Sequence, residues 1–257
     1  MTPHVAWAVE GGVARLTLDR PERRNVLDAD MLDGLSDLLA RAAADDTVRV
    51  VVLTAVGMAF CAGADLRGAA AGEPGSFAEA GAAGLGRVLT ALMDHPKPVV
   101  ARIQGHVAGG GNGLVAACDI AVASDVVRFG FTEVRVGVVP AVIAYPLLRR
   151  LSPADASALL LTGRRIDAAT ARAVGLVQRV VPPDELDATV RSYVADLLLG
   201  GPQALAATKQ VLHQVPQLPR EDALRWAAAL SAERFASEEG VEGMRAFTEK
   251  RLPRWAT

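Results

Sequence analysis

The chain has 257 residues, 51% of them hydrophobic, with 27 Lys and Arg set against 29 Asp and Glu. That length and apolar share support a substantial core, in one large domain or in a domain with an appendage. The near balance of charge argues against nucleic acid as a partner and against a disordered acidic tail.

Val5–Val9, Gly11-Gly12 and Val13–Leu18 read as a β-hairpin. In its second arm Val13, Arg15 and Thr17 share one side, and Ala14, Leu16 and Leu18 the other. Asp28 stands as an N-cap before Met31, Leu32, Leu35, Leu38, Leu39 and Ala42, whose spacing predicts an amphipathic helix. Val48–Leu53 is a continuous apolar run, as expected of a strand buried on both faces. Residues 67–84, rich in Gly and Ala and containing Glu73-Pro74-Gly75, read as a mobile excursion before a helix that ends at Met93. Pro96-Lys97-Pro98 leads into a strand at Val99–Ile103. Leu114–Ala117 continues a helix opened by glycines, and Ile120–Ala123 is a further short strand.

From about Tyr145 the pattern turns helical. Segments 153–162, 168–174, 184–199, 202–214 and 221–248 read as helices, with one strand at Val177–Val181. Alternating strands and helices followed by helices predict an α/β part and then a helical part. No internal sequence repeat is visible at a period of roughly 20–50 residues. Met1–Trp7 lacks the basic and apolar regions of a secretory leader, and no apolar run approaches the roughly 18 residues of a membrane span. Cys61 and Cys118 form neither a disulfide framework nor a CxxC pair, so a cytoplasmic chain with reduced thiols is expected.

Two segments carry the chemistry. Cys61-Ala62-Gly63-Ala64-Asp65-Leu66 and Gly105-His106-Val107-Ala108-Gly109-Gly110-Gly111 each follow a strand-like run. Both are built of residues small enough to let a ligand approach the backbone, and the second opens a helix. Two such segments can aim two backbone N–H groups at one oxygen, which makes an oxyanion hole. Three consecutive glycines cost helix stability, roughly 1 kcal/mol each relative to Ala. Their presence points to positive φ or to close backbone approach, and a helix N-terminus favours developing negative charge. For both loops the plain alternative is tight strand–helix packing.

Glu133 follows within the apolar stretch Phe129–Pro140. Burial there should raise its proton affinity, which suits a general acid/base. Pairing with Arg128 or Arg135 on a solvated face is the alternative. Taken together, the loops and the carboxylate point to an enzyme acting next to a carbonyl. His4, His95, His106 and His213 show no metal-ligand spacing, so no metal is expected, and His106 more simply supports its loop. Asp65 can orient its own loop by capping backbone N–H groups. Ser124 and Ser152 lack a G-x-S-x-G setting.

Over essentially its whole length the chain resembles the crotonase, or enoyl-CoA hydratase/isomerase, superfamily. The resemblance rests on Arg20–Leu27, similar to the family's adenosine-wrapping segment, on Phe60–Leu66, on Gly105–Asp119 and on Glu242–Arg251, similar to its C-terminal signature. It implies an α/β fold: a crotonase-like spiral of ββα units over residues 1–195 with the acyl-CoA site, and a helical C-terminal oligomerisation region over 196–257. It implies homotrimers or homohexamers and no separate cofactor, coenzyme A being part of the substrate. The thioester oxygen would be held by the N–H groups of Ala64 and Gly110, with Glu133 as the catalytic carboxylate. Substrate contacts are implied at Arg24, Val26, Ala62, Gly63, Asp65, Leu66, Gly109, Gly113 and Pro140. Phe247 and Lys250 would meet the coenzyme A of a neighbouring subunit.

One departure stands out. Hydratases of the family with two glutamates carry the second where Glu133 stands and the first where this chain has Gly113. Ala141 follows Pro140 where some dienoyl isomerases and aryl-CoA dehalogenases carry an aspartate, which weighs against those activities. Thr132–Ile143 most resembles bacterial hydratases of the methylglutaconyl-CoA type. The expected activity is enoyl-CoA hydration across the 2,3 double bond. The alternatives are double-bond isomerisation through Glu133 and acyl-CoA binding with little turnover.

Overall fold

The computed structural model describes residues 4–65 and 74–256, without the side chains of 74–80. Strands β1 (Val5–Glu10) and β2 (Val13–Leu18) form the expected antiparallel hairpin, with Val5 opposite Leu18 and Glu10 opposite Val13. Ala14, Leu16 and Leu18 point into the core, as the alternation requires. Helix α1 (Ala29–Ala44) starts at Asp28, whose carboxylate accepts the Met31 N–H at 3.2 Å. All six apolar positions of its predicted stripe are buried.

A strand–strand–helix unit then repeats three times. The first turn is β3 (Val50–Ala55), β4 (Ala59–Cys61) and α2 (Pro74–Met93). The second is β5 (Val99–Ile103), β6 (His106–Ala108) and α3 (Gly110–Ala117). The third is β7 (Ile120–Ser124), β8 (Arg128–Gly130) and α4 (Ala141–Leu148). The first strand of each turn joins a six-stranded sheet of order β1-β2-β3-β5-β7-β10, closed by β10 (Arg179–Val181) and parallel from β2 onward. The second strands form a four-stranded sheet, β4-β6-β8-β9, in which β9 (Arg165–Asp167) runs antiparallel to β8. The spiral of ββα units expected from the family resemblance is therefore present.

The larger sheet is covered on both faces, which explains its unbroken apolar runs. Val51, Leu53, Val99, Ala101, Ala121 and Ala123 face the main core. Val50, Val52, Val100 and Val122 face Leu186, Val190 and Val194 of α7 (Leu186–Leu199). The remaining helices are α5 (Pro153–Thr162), α6 (Ala168–Ala173), α8 (Pro202–Gln214), α9 (Arg220–Ala236) and α10 (Glu238–Thr248). None of the described helices is long and apolar enough to cross a membrane.

Four readings of the sequence change. β3 begins at Val50 because the Val48 N–H turns back to the Asp45 carbonyl at 3.0 Å. The excursion placed over 67–84 is helical from Pro74 onward, while residues 66–73 lie outside the described residues. Proline is favoured at a first helical position, and Gly84 marks a helix contact, since a Cβ there would stand 3.2 Å from Leu32 of α1. The segment 221–248 is two helices, divided at Ser237, whose Oγ accepts the Gly240 N–H at 3.0 Å and donates to the Arg234 carbonyl at 2.8 Å. The strand read at 177–181 begins at Arg179.

Glu242 of α10 organises the end of the chain. Its Oε1 accepts from Arg251 Nη1 at 2.7 Å and from the Arg254 N–H at 3.2 Å, and its Oε2 accepts from Arg251 and Arg245 at 3.1 Å each. The Arg251 guanidinium is the main reason its carboxyl is held at about 2, against an ordinary 4.5. A folded-state value below the unfolded one stabilises fully above about pH 4.5 and is lost as pH falls through about 2. The urea midpoint, followed by far-UV circular dichroism, should therefore fall with pH below about 4.5. Glu242→Gln should lower the midpoint at pH 7 and flatten that acid-dependent fall.

Candidate active site

Three segments converge at the N-terminal end of α3. The first is 20–27, which Arg24 and Asn25 turn through two left-handed residues at φ 54° and 53°. Asn25 is wholly buried and fully used. Its Nδ2 donates to the carbonyls of Val56 at 3.0 Å and Ala59 at 2.9 Å, and its Oδ1 accepts the Arg20 N–H at 2.8 Å. The Ala62 N–H donates to the Arg24 carbonyl at 3.0 Å, and the Leu27 N–H to the Gly63 carbonyl at 2.8 Å. Residues 24–27 thus lie alongside 62–64 like one more strand. Arg23 ties the same two segments together by pairing with both Asp65 and the cap residue Asp28. The buried carboxylate of Asp65 thereby acts on its loop through this guanidinium.

The second and third segments touch backbone to backbone. Gly63 has φ +84°, and a Cβ on it would stand 2.9 Å from the Ala108 carbonyl oxygen and 3.2 Å from the Gly110 nitrogen. Gly109 has φ +51°, and its Cβ would stand 3.4 Å from Gly63 Cα. Only glycine meets both the dihedral and the space. The Gly109 N–H donates to the Gly130 carbonyl at 3.0 Å, and the same carbonyl accepts Asn112 Nδ2 at 2.8 Å. By contrast, Gly110 is the first residue of α3, where N–H groups have no intrahelical acceptor. Among the described residues, the amides of Gly110 and Ala64 donate to no other group.

Glu133 opens a single helical turn, Glu133–Val136, just after β8. Its Oε1 lies 3.7 Å from where a Gly109 Cβ would be, and its Oε2 is buried with no hydrogen-bond partner. The ion-pair reading fails: Arg128 pairs with Asp167 at 3.6 Å, and Arg135 Nε donates to the Thr162 carbonyl at 3.2 Å. Desolvation raises the proton affinity of Glu133, against a smaller opposing effect of its own backbone hydrogen bond. The doubly bonded Gly130 carbonyl clamps β8 to the turn before α3, and so sets the Glu133 carboxylate beside Gly109.

The other predicted contacts distribute as follows. Arg24 is exposed, and Val26, Ala62 and Pro140 are half-buried around the same segments, Pro140 directly before α4. Gly113 is buried, and a Cβ on it would stand 2.5 Å from Ile143 Cγ2. Leu66 lies outside the described residues. Phe247 is 85% exposed near the end of α10 and Lys250 is exposed beyond it. Among the described residues, no hydrogen bond or ion pair joins Lys250 to the Glu133 cluster. His106 Nδ1 accepts the Arg128 N–H at 3.1 Å and so supports its loop. No cluster among the described residues has the makings of a metal site. Both cysteines are unpaired and buried, which pushes each thiol up to about 12.

Residue-by-residue reading of the sequence missed Asn25, Arg23 and Asn112 as organisers of the site. For Asn112 the available signal was an Asn placed among glycines, and for Asn25 an Asn at the point where charged residues give way to Val26-Leu27, where a short amide can bond backbone carbonyls. A cavity of about 200 Å³ at the other end of α3, lined by Met93, Cys118, Asp119, Arg149, Arg150 and His213, contains none of the predicted groups. Its charges are already engaged: Lys209 holds Asp119 at 2.7 Å, and Arg150 donates to the carbonyls of Ala116 and Cys118.

Residues 8–257 match the family described as Enoyl-CoA hydratase/isomerase. A Thermus thermophilus protein provisionally named enoyl-CoA hydratase is 38% identical over 250 residues, 96% of this chain and 98% of its own. The carnitinyl-CoA dehydratase of Proteus mirabilis is 35% identical over 265 residues, 99% of each chain. The crystal structure of an enoyl-CoA hydratase from Mycobacterium smegmatis superposes with a TM-score of 0.94 at 35% identity, covering 99% of this chain and 100% of that one. With its two interleaved sheets and its whole length accounted for, the chain is an enzyme belonging to the enoyl-CoA hydratase/isomerase family.

Proposed function

We propose that the protein is an enoyl-CoA hydratase that adds water across the 2,3 double bond of an acyl-CoA thioester with one catalytic carboxylate, Glu133. The observation that carries this reading is the buried, unpartnered Oε2 of Glu133 beside two amides that have no acceptor. An unmet buried oxygen costs stability, and a substrate or water would relieve it.

In this mechanism the thioester oxygen accepts the N–H groups of Ala64 and Gly110. Glu133 takes a proton from water as the water oxygen bonds to the β-carbon. The double-bond electrons move through the α-carbon to the thioester oxygen, where the two amides and the N-terminus of α3 stabilise the charge. Glu133 then returns its proton to the α-carbon as the thioester carbonyl re-forms. Arg24, Val26, Ala62, Asp65, Leu66 and Pro140 would line the acyl-CoA path. Phe247 and Lys250 would act across a subunit boundary, with 196–257 as the oligomerisation region. The named activities of the relatives, hydration and dehydration of acyl-CoA thioesters, support the same chemistry.

A second reading is favoured by Gly113. With no side chain there, a single carboxylate could instead shuttle a proton between the α- and γ-carbons, as a double-bond isomerase does. Absorbance assays with crotonyl-CoA and with a 3-enoyl-CoA separate the two reactions.

Glu133→Gln should lower kcat for crotonyl-CoA hydration by at least about a hundredfold with KM little changed, since a positioned acid/base typically contributes 10²–10⁴. A variant that keeps half the rate would remove Glu133 from the mechanism. In the unmutated enzyme the rate should rise with pH through a value above the ordinary carboxylate range, because the base must be ionised and burial raises its proton affinity.

Gly110→Pro should reduce kcat by about 10²–10³, the usual cost of one oxyanion donor, while circular dichroism stays unchanged. Position 110 is a first helical residue outside the positive-φ region, where proline is tolerated. Gly110→Ala, which keeps the N–H, is the control for crowding against Leu27 and Leu85. Near-normal turnover in a folded Gly110→Pro enzyme would exclude this amide as a donor.

Light scattering should give the mass of a trimer or a hexamer, in keeping with the apolar side chains that α9 and α10 expose, among them Leu224, Phe235, Val241 and Met244. A monomer at micromolar concentration would contradict it.

A further inference from the structure

Position 113 lies one helical turn beyond Gly110 on the same face of α3. Side chains on a helix lean toward its N-terminus. A side chain at 113 would therefore lean back toward Gly109 and Gly110, and a Cβ at Gly109 would itself stand 3.7 Å from Glu133 Oε1, so a carboxylate carried at 113 could act on the same substrate. The chain has glycine there, and the space is occupied by a neighbouring side chain. A Cβ on Gly113 would stand 2.5 Å from Ile143 Cγ2, 3.0 Å from Ile143 Cβ and 3.4 Å from Leu89 Cδ2. Ile143 and Leu89 are each only 2% exposed. A β-branched side chain is stiff about χ1, and α4 packs closely on α3, so Ile143 cannot swing aside to admit a larger residue.

We propose that Ile143 is a specificity-determining residue: it fills the volume beside Gly113, keeps water and any second carboxylate out of it, and so confines proton transfer to Glu133. This rests on the assignment of Glu133 and Gly110 made above. Ile143 is the residue of α4 that fills this space most closely, because its own atoms make the two shortest approaches.

Removal of the three outer side-chain carbons in Ile143→Ala should open a pocket that accepts a small carboxylate from solution. In the fraction of enzyme whose Glu133 is protonated, which burial enlarges, formate takes the proton from water as the water oxygen bonds to the β-carbon, and Glu133 gives its proton to the α-carbon. Formic acid and the Glu133 carboxylate are afterwards reset by exchange with solvent.

The test is crotonyl-CoA hydration by Ile143→Ala under graded sodium formate, against equimolar sodium chloride. Formate should raise its kcat saturably by at least about fivefold, a small part of what a fixed acid/base supplies, and leave the unmutated enzyme unchanged. Equal acceleration of both, or none in a folded Ile143→Ala enzyme, overturns the proposal. A second arm needs no turnover. Gly113→Glu should lower Tm, and Gly113→Glu combined with Ile143→Ala should recover it relative to Ile143→Ala alone. A single Gly113→Glu as stable as the unmutated protein overturns the filling role of Ile143. If the unmutated enzyme turned over no enoyl-CoA, the hydratase reading would fail while this arm still decided the role of Ile143.

Discussion

The contact on which the site depends is between two stretches of bare backbone, Gly63 on one loop and Gly109–Gly110 on the next. They approach so closely that a single methyl at Gly63 would meet the Ala108 carbonyl at 2.9 Å. Amides belonging to different turns of the spiral can face one oxygen only if nothing stands between the turns. The left-handed φ values of both glycines follow from that requirement. The cost in chain entropy is met elsewhere, by the two covered faces of the large sheet and by a buried stripe along α1.

Around that contact the polar groups do the aligning. Asn25 spends two hydrogen bonds on holding residues 20–27 against the β3–β4 connection and a third on closing that segment upon itself. Asn112 and Gly109 share the Gly130 carbonyl, which sets the exit of β8 and therefore Glu133. Arg23 bridges Asp28 and Asp65, so the cap of α1 and the Ala64 loop move together. Asn25 uses its whole amide, whereas Asn112 Oδ1 and Glu133 Oε2 are both buried without a partner. A folded core satisfies most of its polar groups, and of the few buried atoms without a partner among the described residues Glu133 Oε2 is the one on a carboxylate.

Much of this could be read in the sequence. The hairpin, α1 with its Asp28 cap, and the strand at Val99–Ile103 follow from periodicity and capping alone, because each buries one clear face or two. The two glycine loops and Glu133 stood out as candidates because small residues and a carboxylate in apolar surroundings are costly without a use, and the structure brings them together. The second sheet was not legible residue by residue. β4, β6, β8 and β9 have three residues each, too few for a period-2 pattern to register. The threefold strand–strand–helix repetition likewise leaves no repeat in the sequence, since each turn meets different neighbours and ends in a different functional loop. α2 was obscured because Gly84 serves a contact with Leu32 across helices, which a single chain segment does not reveal. The filling of Gly113 by Ile143 depends on a crossing of α3 and α4 that no local signal encodes.

The burial of Cys61 has a kinetic consequence. Its thiol lies between β4 and α3, where a Cβ on Gly111 would stand 2.9 Å from Cys61 Cβ, and burial pushes it up to about 12. At neutral pH roughly one thiol in 10⁵ would then be thiolate, the form that alkylating reagents attack. Covalent labelling at this position must wait for the strand and the helix to part. Its rate is a clock for how often the two glycine loops come undone, and a ligand bridging the Ala64 and Gly110 amides would slow that clock.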